Sequence, residues 1–206
     1  MPYYKEKDLL FIHIPKTGGT MIEDNIKKKY KQSLYNLTSN KNFLLKKPFN
    51  NSSLQHLFYT TIFKFQKELN IDFKNIKIFS VVRNPYDRII SDLFWFKLIN
   101  PDFSSDKVYN IIKNKYLNRC DLDNHNKPQY KFITNDNDEL VENIKIFKTE
   151  NLNDSVKSMS QFLGFDINII KDNVNKNYDK YLNKDSISLI NNFYKKDFEL
   201  FGYKMK

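Results

Sequence analysis

Cysteine is all but absent from this chain: Cys120 is the single one among 206 residues. That excludes an internal disulfide and fits a reducing compartment. Nothing near Cys120 resembles the setting of a nucleophile, so it reads as an incidental thiol. Long apolar runs are missing too. None approaches the ~20 residues that span a membrane, and the stretch Met1–Asp8 lacks the apolar centre of a signal peptide. The expectation is a soluble, cytoplasmic protein. Acidic residues are in deficit, 24 against 34 Lys and Arg, for a formal net charge of +10 and a pI near 9.4. An anionic partner would suit that balance. Yet runs such as Lys27-Lys28-Lys29 and Lys195-Lys196 read as solvated helix faces, and no recognised nucleic-acid-binding motif accompanies them. Glycine is scarce as well, and two of the four glycines stand side by side at Gly18-Gly19.

Aromatic residues, by contrast, are plentiful. They make up 16% of the chain, mostly Phe and Tyr, and supply packing material despite a mean hydropathy of −0.64. A chain of 206 residues suits one domain with a sizeable core, expected to cover residues 1–206.

The paired glycines sit in the most informative stretch, Leu9-Leu10-Phe11-Ile12-His13-Ile14-Pro15-Lys16-Thr17-Gly18-Gly19-Thr20. It reads as a buried strand over 9–14 that breaks at Pro15, turns through Lys16-Thr17-Gly18-Gly19 and enters a helix near Thr20. Adjacent glycines let backbone N–H groups point inward without an intervening Cβ. A helix N-terminus adds unpaired N–H groups and partial positive charge. With Lys16 and the hydroxyls of Thr17 and Thr20, these make a socket for a phosphate- or sulfate-like group. The bland alternative is a strand-to-helix turn whose glycines only permit the bend.

A helix to about Lys31 and a polar connection over 36–52 follow. Ser52 or Ser53 can cap a helix running to about Leu69, with Leu54, Leu57, Ile62, Phe65 and Leu69 on one face. Ile76–Val82 is a second strand, and the alternation of strand and helix predicts a parallel sheet covered by helices. After Arg83, Asn84 is a good N-cap and Pro85 suits the first helical position of a helix running to about Ile99. A short helix over 105–116, an Asn/Asp-rich surface loop over 118–138, a third strand over 144–148, and helices near 152–163 and 185–200 complete the expectation.

The second strand ends in Arg83, and Ser91 lies eight residues later on the following helix. Arg offers a planar fork of donors suited to phosphate, and Ser91 could add a hydroxyl from two turns in. Strand ends of a parallel sheet open onto one edge, where ligands bind. Two anion sites on one edge imply a ligand with two separated anionic groups. The alternative for Arg83 is an ion pair with Asp87 or Asp92.

Pro15-Lys16-Thr17-Gly18-Gly19-Thr20 and Val82-Arg83-Asn84-Pro85-Tyr86-Asp87-Arg88-Ile89-Ile90-Ser91 resemble the two donor-binding motifs of the sulfotransferases. The likeness is greatest to the Golgi carbohydrate (glycosaminoglycan-type) O-sulfotransferases. It extends to Asn124–Tyr130, to Phe147–Leu152 and to Asp197–Tyr203. The resemblance implies an α/β, three-layer, P-loop-like fold with a central parallel β-sheet flanked by helices. It implies 3′-phosphoadenosine 5′-phosphosulfate (PAPS) as the donor, with residues 16–20 holding the 5′-phosphosulfate and Arg83 and Ser91 the 3′-phosphate. It also favours a glycan hydroxyl as the acceptor. A nucleoside triphosphate site would need Gly-x-x-x-x-Gly-Lys-[Ser/Thr], with Lys after the glycines. Here Lys16 precedes them, and a cation at Arg83 repels the magnesium that such a site holds.

The expected reaction is in-line attack of the acceptor hydroxyl on sulfur, with Lys16 and the loop amides stabilising the departing phosphate and no metal required. Three histidines are candidates for the proton acceptor. His13, inside an apolar strand, reads as structural. His125, with Gln129 nearby, reads as a weak acceptor contact in a polar loop. His56 falls in the first turn of the predicted helix after Ser53, where the dipole disfavours its charged form. The related enzymes commonly carry a histidine base between their donor motifs, which matches His56. Glu23 and Glu150 are the fallback bases. The competing reading from another class is a non-catalytic sulfotransferase-like domain that captures nucleotides or acidic glycans.

Overall fold

The computed structural model describes residues 1–30, 53–168 and 178–206; the connection expected over 36–52 and a cap at Ser52 lie outside them. Four strands form one sheet in the order β1 (Tyr3–Tyr4), β2 (Leu9–Ile12), β3 (Lys77–Val82) and β4 (Ile144–Lys148). β2, β3 and β4 run parallel, with Leu10 opposite Ile78 and Ile78 opposite Ile144. The sheet is mixed rather than wholly parallel, because β1 returns antiparallel along β2 with Tyr3 opposite Leu10. Two residues are too few for alternation to register, so the sequence carries no strand signal there.

Side chains alternate between the sheet's faces, and both faces are buried. Leu10, Ile12, Ile78, Val82 and Ile144 share one cluster with Leu54, Ile62 and Phe201. Leu9, Phe11, Phe79, Val81 and Phe147 share another with Ile22, Ile26, Leu152, Met159 and Leu163. The second face is covered by α1 (Gly19–Lys29) and α5 (Leu152–Leu163), the first by α2 (Tyr59–Lys64) and the end of α7 (Lys195–Phe201). This is the three-layer α/β arrangement. A third cluster joins α3 (Pro85–Trp95), α4 (Ser105–Ile111) and α6 (Lys184–Phe193) beside the sheet.

Three local expectations give way to longer-range contacts. The helix expected from Ser53 to Leu69 is a 3-10 turn at Leu54–His56, an extended pair at Leu57 and Phe58, and then the short α2. Ser53 spends its N–H and hydroxyl on Asp123, at 2.5 and 2.6 Å, rather than on capping. The helix expected over 185–200 divides at Tyr194, whose buried hydroxyl donates to the Asn126 carbonyl at 2.9 Å. The loop over 118–138 is not a surface loop throughout. Asn126, Gln129, Phe132 and Ile133 are buried, and Asn126 Nδ2 donates to the carbonyls of Tyr116, Leu117 and Arg119. Polar side chains there replace the missing ladder partners of buried backbone.

Candidate active site

The loop after β2 is shaped by two glycines with different tasks. Gly18 has φ +89°, a left-handed conformation that glycine adopts without strain. Gly19 is required for space: a Cβ there would stand 2.1 Å from His13 Nε2. Lys16 is also left-handed, at φ +65°, a costly conformation for a long side chain. α1 begins at Gly19 with no side-chain cap from Gly18, the kind of helix start that can receive an anion. Thr20 lines the cavity in front of them. Thr17 corrects the expected socket. It is fully buried, and its hydroxyl donates to the Ile14 carbonyl at 2.9 Å, while Thr149 donates to the Thr17 carbonyl at 2.6 Å. Its side chain stitches the turn from inside and offers no hydroxyl to a ligand.

Arg83 follows directly on β3. Its N–H donates to Gln129 Oε1 at 2.8 Å, and its carbonyl accepts from Gln129 Nε2 at 2.7 Å. Gln129 thereby acts as a side-chain substitute for a neighbouring strand. It is fully buried, and its own N–H donates to the buried Asp197 carboxylate at 2.8 Å, so the expected acceptor contact at Gln129 is corrected to a clamp on Arg83. The Arg83 guanidinium donates to the Lys16 carbonyl at 3.1 Å and lies 5.7 Å from the Tyr178 ring centre. Among the described residues it makes no carboxylate ion pair. Asp92, one of its alternative partners, is fully buried against His125 and the Tyr116 hydroxyl.

Lys16, Gly18, Gly19, Thr20, Arg83 and Ser91 border a single cavity of about 470 Å³. The residues of the two anion sites expected from the sequence, Thr17 apart, therefore border one cavity. A second cavity of about 600 Å³ shares Lys16, Ser91 and Trp95 with the first and adds Phe94, Tyr178, Lys180 and Tyr181. Trp95 is 64% exposed on that shared rim, with the Lys16 ammonium 4.4 Å from its ring centre.

The far wall of the first cavity holds all three histidines. His13 Nδ1 meets Glu23 Oε1 at 2.6 Å, and Gln55 Nε2 donates to the same carboxylate oxygen at 3.1 Å. Both partners of that pair are buried, which occupies Glu23 as a structural anchor. His56 Nδ1 donates to the His13 carbonyl at 3.0 Å, which leaves the Nε2 lone pair available. Burial, then the neighbouring His13 and His125, hold the His56 imidazole well below its usual pKa. It stays neutral for these reasons and not through a helix dipole, because it closes a 3-10 turn instead of opening a helix. His125 Nδ1 meets Asp92 Oδ1 at 2.7 Å. The His56 ring stands edge-on to both others, 5.0 Å from each between ring centres.

Arg88, one turn into α3, fastens this wall to the loop. It is buried and donates to the carbonyls of Pro15, Lys127 and His125 at 3.0, 2.9 and 2.5 Å. Glu150 lies elsewhere, accepting from the Asn84 N–H and the Tyr203 hydroxyl.

Sequence reasoning missed Gln55, Trp95 and Asp123, all of which border the cavity. Gln55 and Asp123 had no local motif to mark them. Trp95 carried a signal, the one tryptophan of the chain, on the helix that also bears Ser91.

A family model described as "Sulfotransferase family" matches residues 3–204. No curated protein and no solved structure matches the chain.

Proposed function

The chain belongs to the sulfotransferase family, and on that premise we propose that it moves the sulfuryl group of PAPS to a hydroxyl of a carbohydrate acceptor, as a single domain. One observation carries this reading: Lys16, the open start of α1, Arg83 and His56 all border one cavity. A nucleotide with two anionic ends finds a cation for each end there, and a neutral imidazole waits beside the reactive one.

In this reading the 5′-phosphosulfate lies on Lys16, Gly18, Gly19 and Thr20, and the 3′-phosphate lies on Arg83 and Ser91. The adenine extends over the shared rim towards Trp95, Tyr178 and Tyr181, where flat aromatic faces offer stacking. The sulfuryl end then points at the histidine wall. The acceptor oxygen attacks sulfur and its proton passes to His56 Nε2. The bond between sulfur and the bridging oxygen breaks, and adenosine 3′,5′-bisphosphate leaves with the electron pair. Lys16 and the loop amides meet the charge that grows on that oxygen, a fixed arrangement that needs no reorganisation during reaction. Asp123 Oδ2, 4.0 Å from His56 Nε2, stabilises the imidazolium that forms. Gln55, which borders the cavity beside His56, donates Nε2 to Glu23 and so steadies the wall that the acceptor meets. Glycan hydroxyls suit a wall that offers both acceptor atoms and edge-on rings.

The test is transfer of labelled sulfate from PAPS to glycan, phenol and peptide acceptors with EDTA present. It is paired with calorimetric binding of adenosine 3′,5′-bisphosphate and adenosine 5′-monophosphate. Transfer to a glycan, with clear preference for the bisphosphate, is expected. Equal affinity for the two nucleotides refutes the two-ended grip, and bisphosphate binding without transfer to any acceptor makes the protein a binder.

A further inference from the structure

The histidine wall also holds a second arrangement, which joins His56 and Asp123 of the transfer reaction to His125. One potential ligand atom from each of His56, Asp123 and His125 lies within 4.8 Å of the other two. Bonds of ~2.0–2.2 Å around a tetrahedral ion place its ligand atoms ~3.3–3.5 Å apart. Closing onto an ion therefore shortens any pair by at most ~1.5 Å, within the reach of side-chain adjustment.

The outer contacts are those that hold metal ligands in place. A metal-bound imidazole almost always donates its other N–H to a carbonyl or a carboxylate. His56 donates Nδ1 to the His13 carbonyl at 3.0 Å, and His125 Nδ1 meets Asp92 Oδ1 at 2.7 Å. Each bond commits Nδ1 and leaves the Nε2 lone pair. The Asp123 carboxylate is oriented by the N–H and hydroxyl of Ser53, and Asp92 is steadied by the Tyr116 hydroxyl. All three ligands border the cavity, so an ion can reach them from it.

We propose that His56, Asp123 and His125 form a binding site for one divalent transition-metal ion of the zinc class. Two imidazoles and one carboxylate suit Zn²⁺ or Co²⁺, whereas Mg²⁺ and Ca²⁺ favour all-oxygen ligands. The ion takes the His56 lone pair that the transfer reaction needs for the acceptor proton, and this second part rests on the proposed function. Metal and proton compete for one atom, so occupancy switches transfer off.

Co²⁺ titration of the purified protein, freed of metal with EDTA and then dialysed, reads the site directly. One equivalent is expected to produce visible d–d absorption, which Zn²⁺ displaces. His125→Gln is expected to abolish it, and Cys120→Ser, which removes the exposed thiol, to leave it unchanged. If His125→Gln does not fold, imidazole NMR of the wild type decides: Zn²⁺ should move the ring signals of two of the three histidines. Absence of a Co²⁺ band, its loss in Cys120→Ser, its survival in a folded His125→Gln protein, or ring signals that do not move overturns the site. Transfer that Zn²⁺ inhibits and EDTA restores is expected for the switch. A protein that binds Co²⁺ yet transfers no sulfate keeps the metal site and loses the proposed function; one that transfers but binds no Co²⁺ does the reverse.

Discussion

Replacing Gly19 with alanine tests the construction of the donor loop from the inside. The added Cβ would stand 2.1, 2.3 and 2.7 Å from His13 Nε2, Cδ2 and Cε1. No real methyl occupies such positions, so the imidazole must leave. It is held on every side: by Glu23 at 2.6 Å, by the Phe11 ring stacked at 5.2 Å, and by His56 edge-on at 5.0 Å. Overpacking of this kind costs about 1–3 kcal/mol. Losing the hydrogen bond to the buried Glu23 carboxylate adds about 1.5–3 kcal/mol. Alanine in place of glycine in a helix returns about 1 kcal/mol. The net expectation is a loss of about 1.5–5 kcal/mol, a large part of a typical domain's stability. Gly18→Ala has a different cause, because its Cβ would meet nothing nearer than Leu152 Cδ1 at 3.6 Å. Its cost is the left-handed backbone alone, about 1–2 kcal/mol. Urea unfolding followed by circular dichroism measures both. A double-mutant cycle of Gly19→Ala with His13→Ala isolates the clash, and strong non-additivity is expected. A Gly19→Ala loss below about 0.5 kcal/mol, or losses that simply add, would refute the account.

Three further outcomes follow from the site. His56→Ala should lower sulfuryl transfer by ~10²–10⁴-fold with donor affinity nearly intact, and an unchanged turnover number in the labelled-donor assay removes His56 from the reaction. Arg83→Ala should weaken adenosine 3′,5′-bisphosphate by ~10–100-fold, the value of a charge-assisted contact, while leaving adenosine 5′-monophosphate nearly unaffected in calorimetry. Equal losses for both nucleotides count against the 3′-phosphate assignment. Gln129→Ala should destabilise by about 1–3 kcal/mol for each Arg83 backbone group left unpaired, and should weaken the bisphosphate without touching it. Bisphosphate binding that matches the wild type means that Gln129 does not hold Arg83 in place.

The parts of the fold legible in the sequence were those written in local patterns. Strands over 77–82 and 144–148 lie where apolar runs put them, and Asn84 caps α3 by accepting from the Tyr86 N–H at 3.0 Å. The loop from Pro15 to Thr20 was legible because a glycine pair at a strand end has few physical uses. What could not be read were positions fixed across long separations. Thr17 carries the same hydroxyl as Thr20, but it turns inward onto the Ile14 carbonyl in a turn that Thr149 closes over from 132 residues away, through the Thr17 carbonyl. Gln129 sits in a stretch whose polar composition spells surface, yet its amide fits the backbone of Arg83. The helix after Ser53 failed for the same reason, since Asp123 claims its cap from 70 residues away.

Arg88 has a consequence for how this cavity responds when something enters it. One immobilised guanidinium grips the last residue before Lys16 and the peptide that carries His125, with little slack in any of its three bonds. The backbone at the floor and at the back of the cavity is thus fastened together through a single side chain, so their spacing is set as the chain folds, before any ligand arrives.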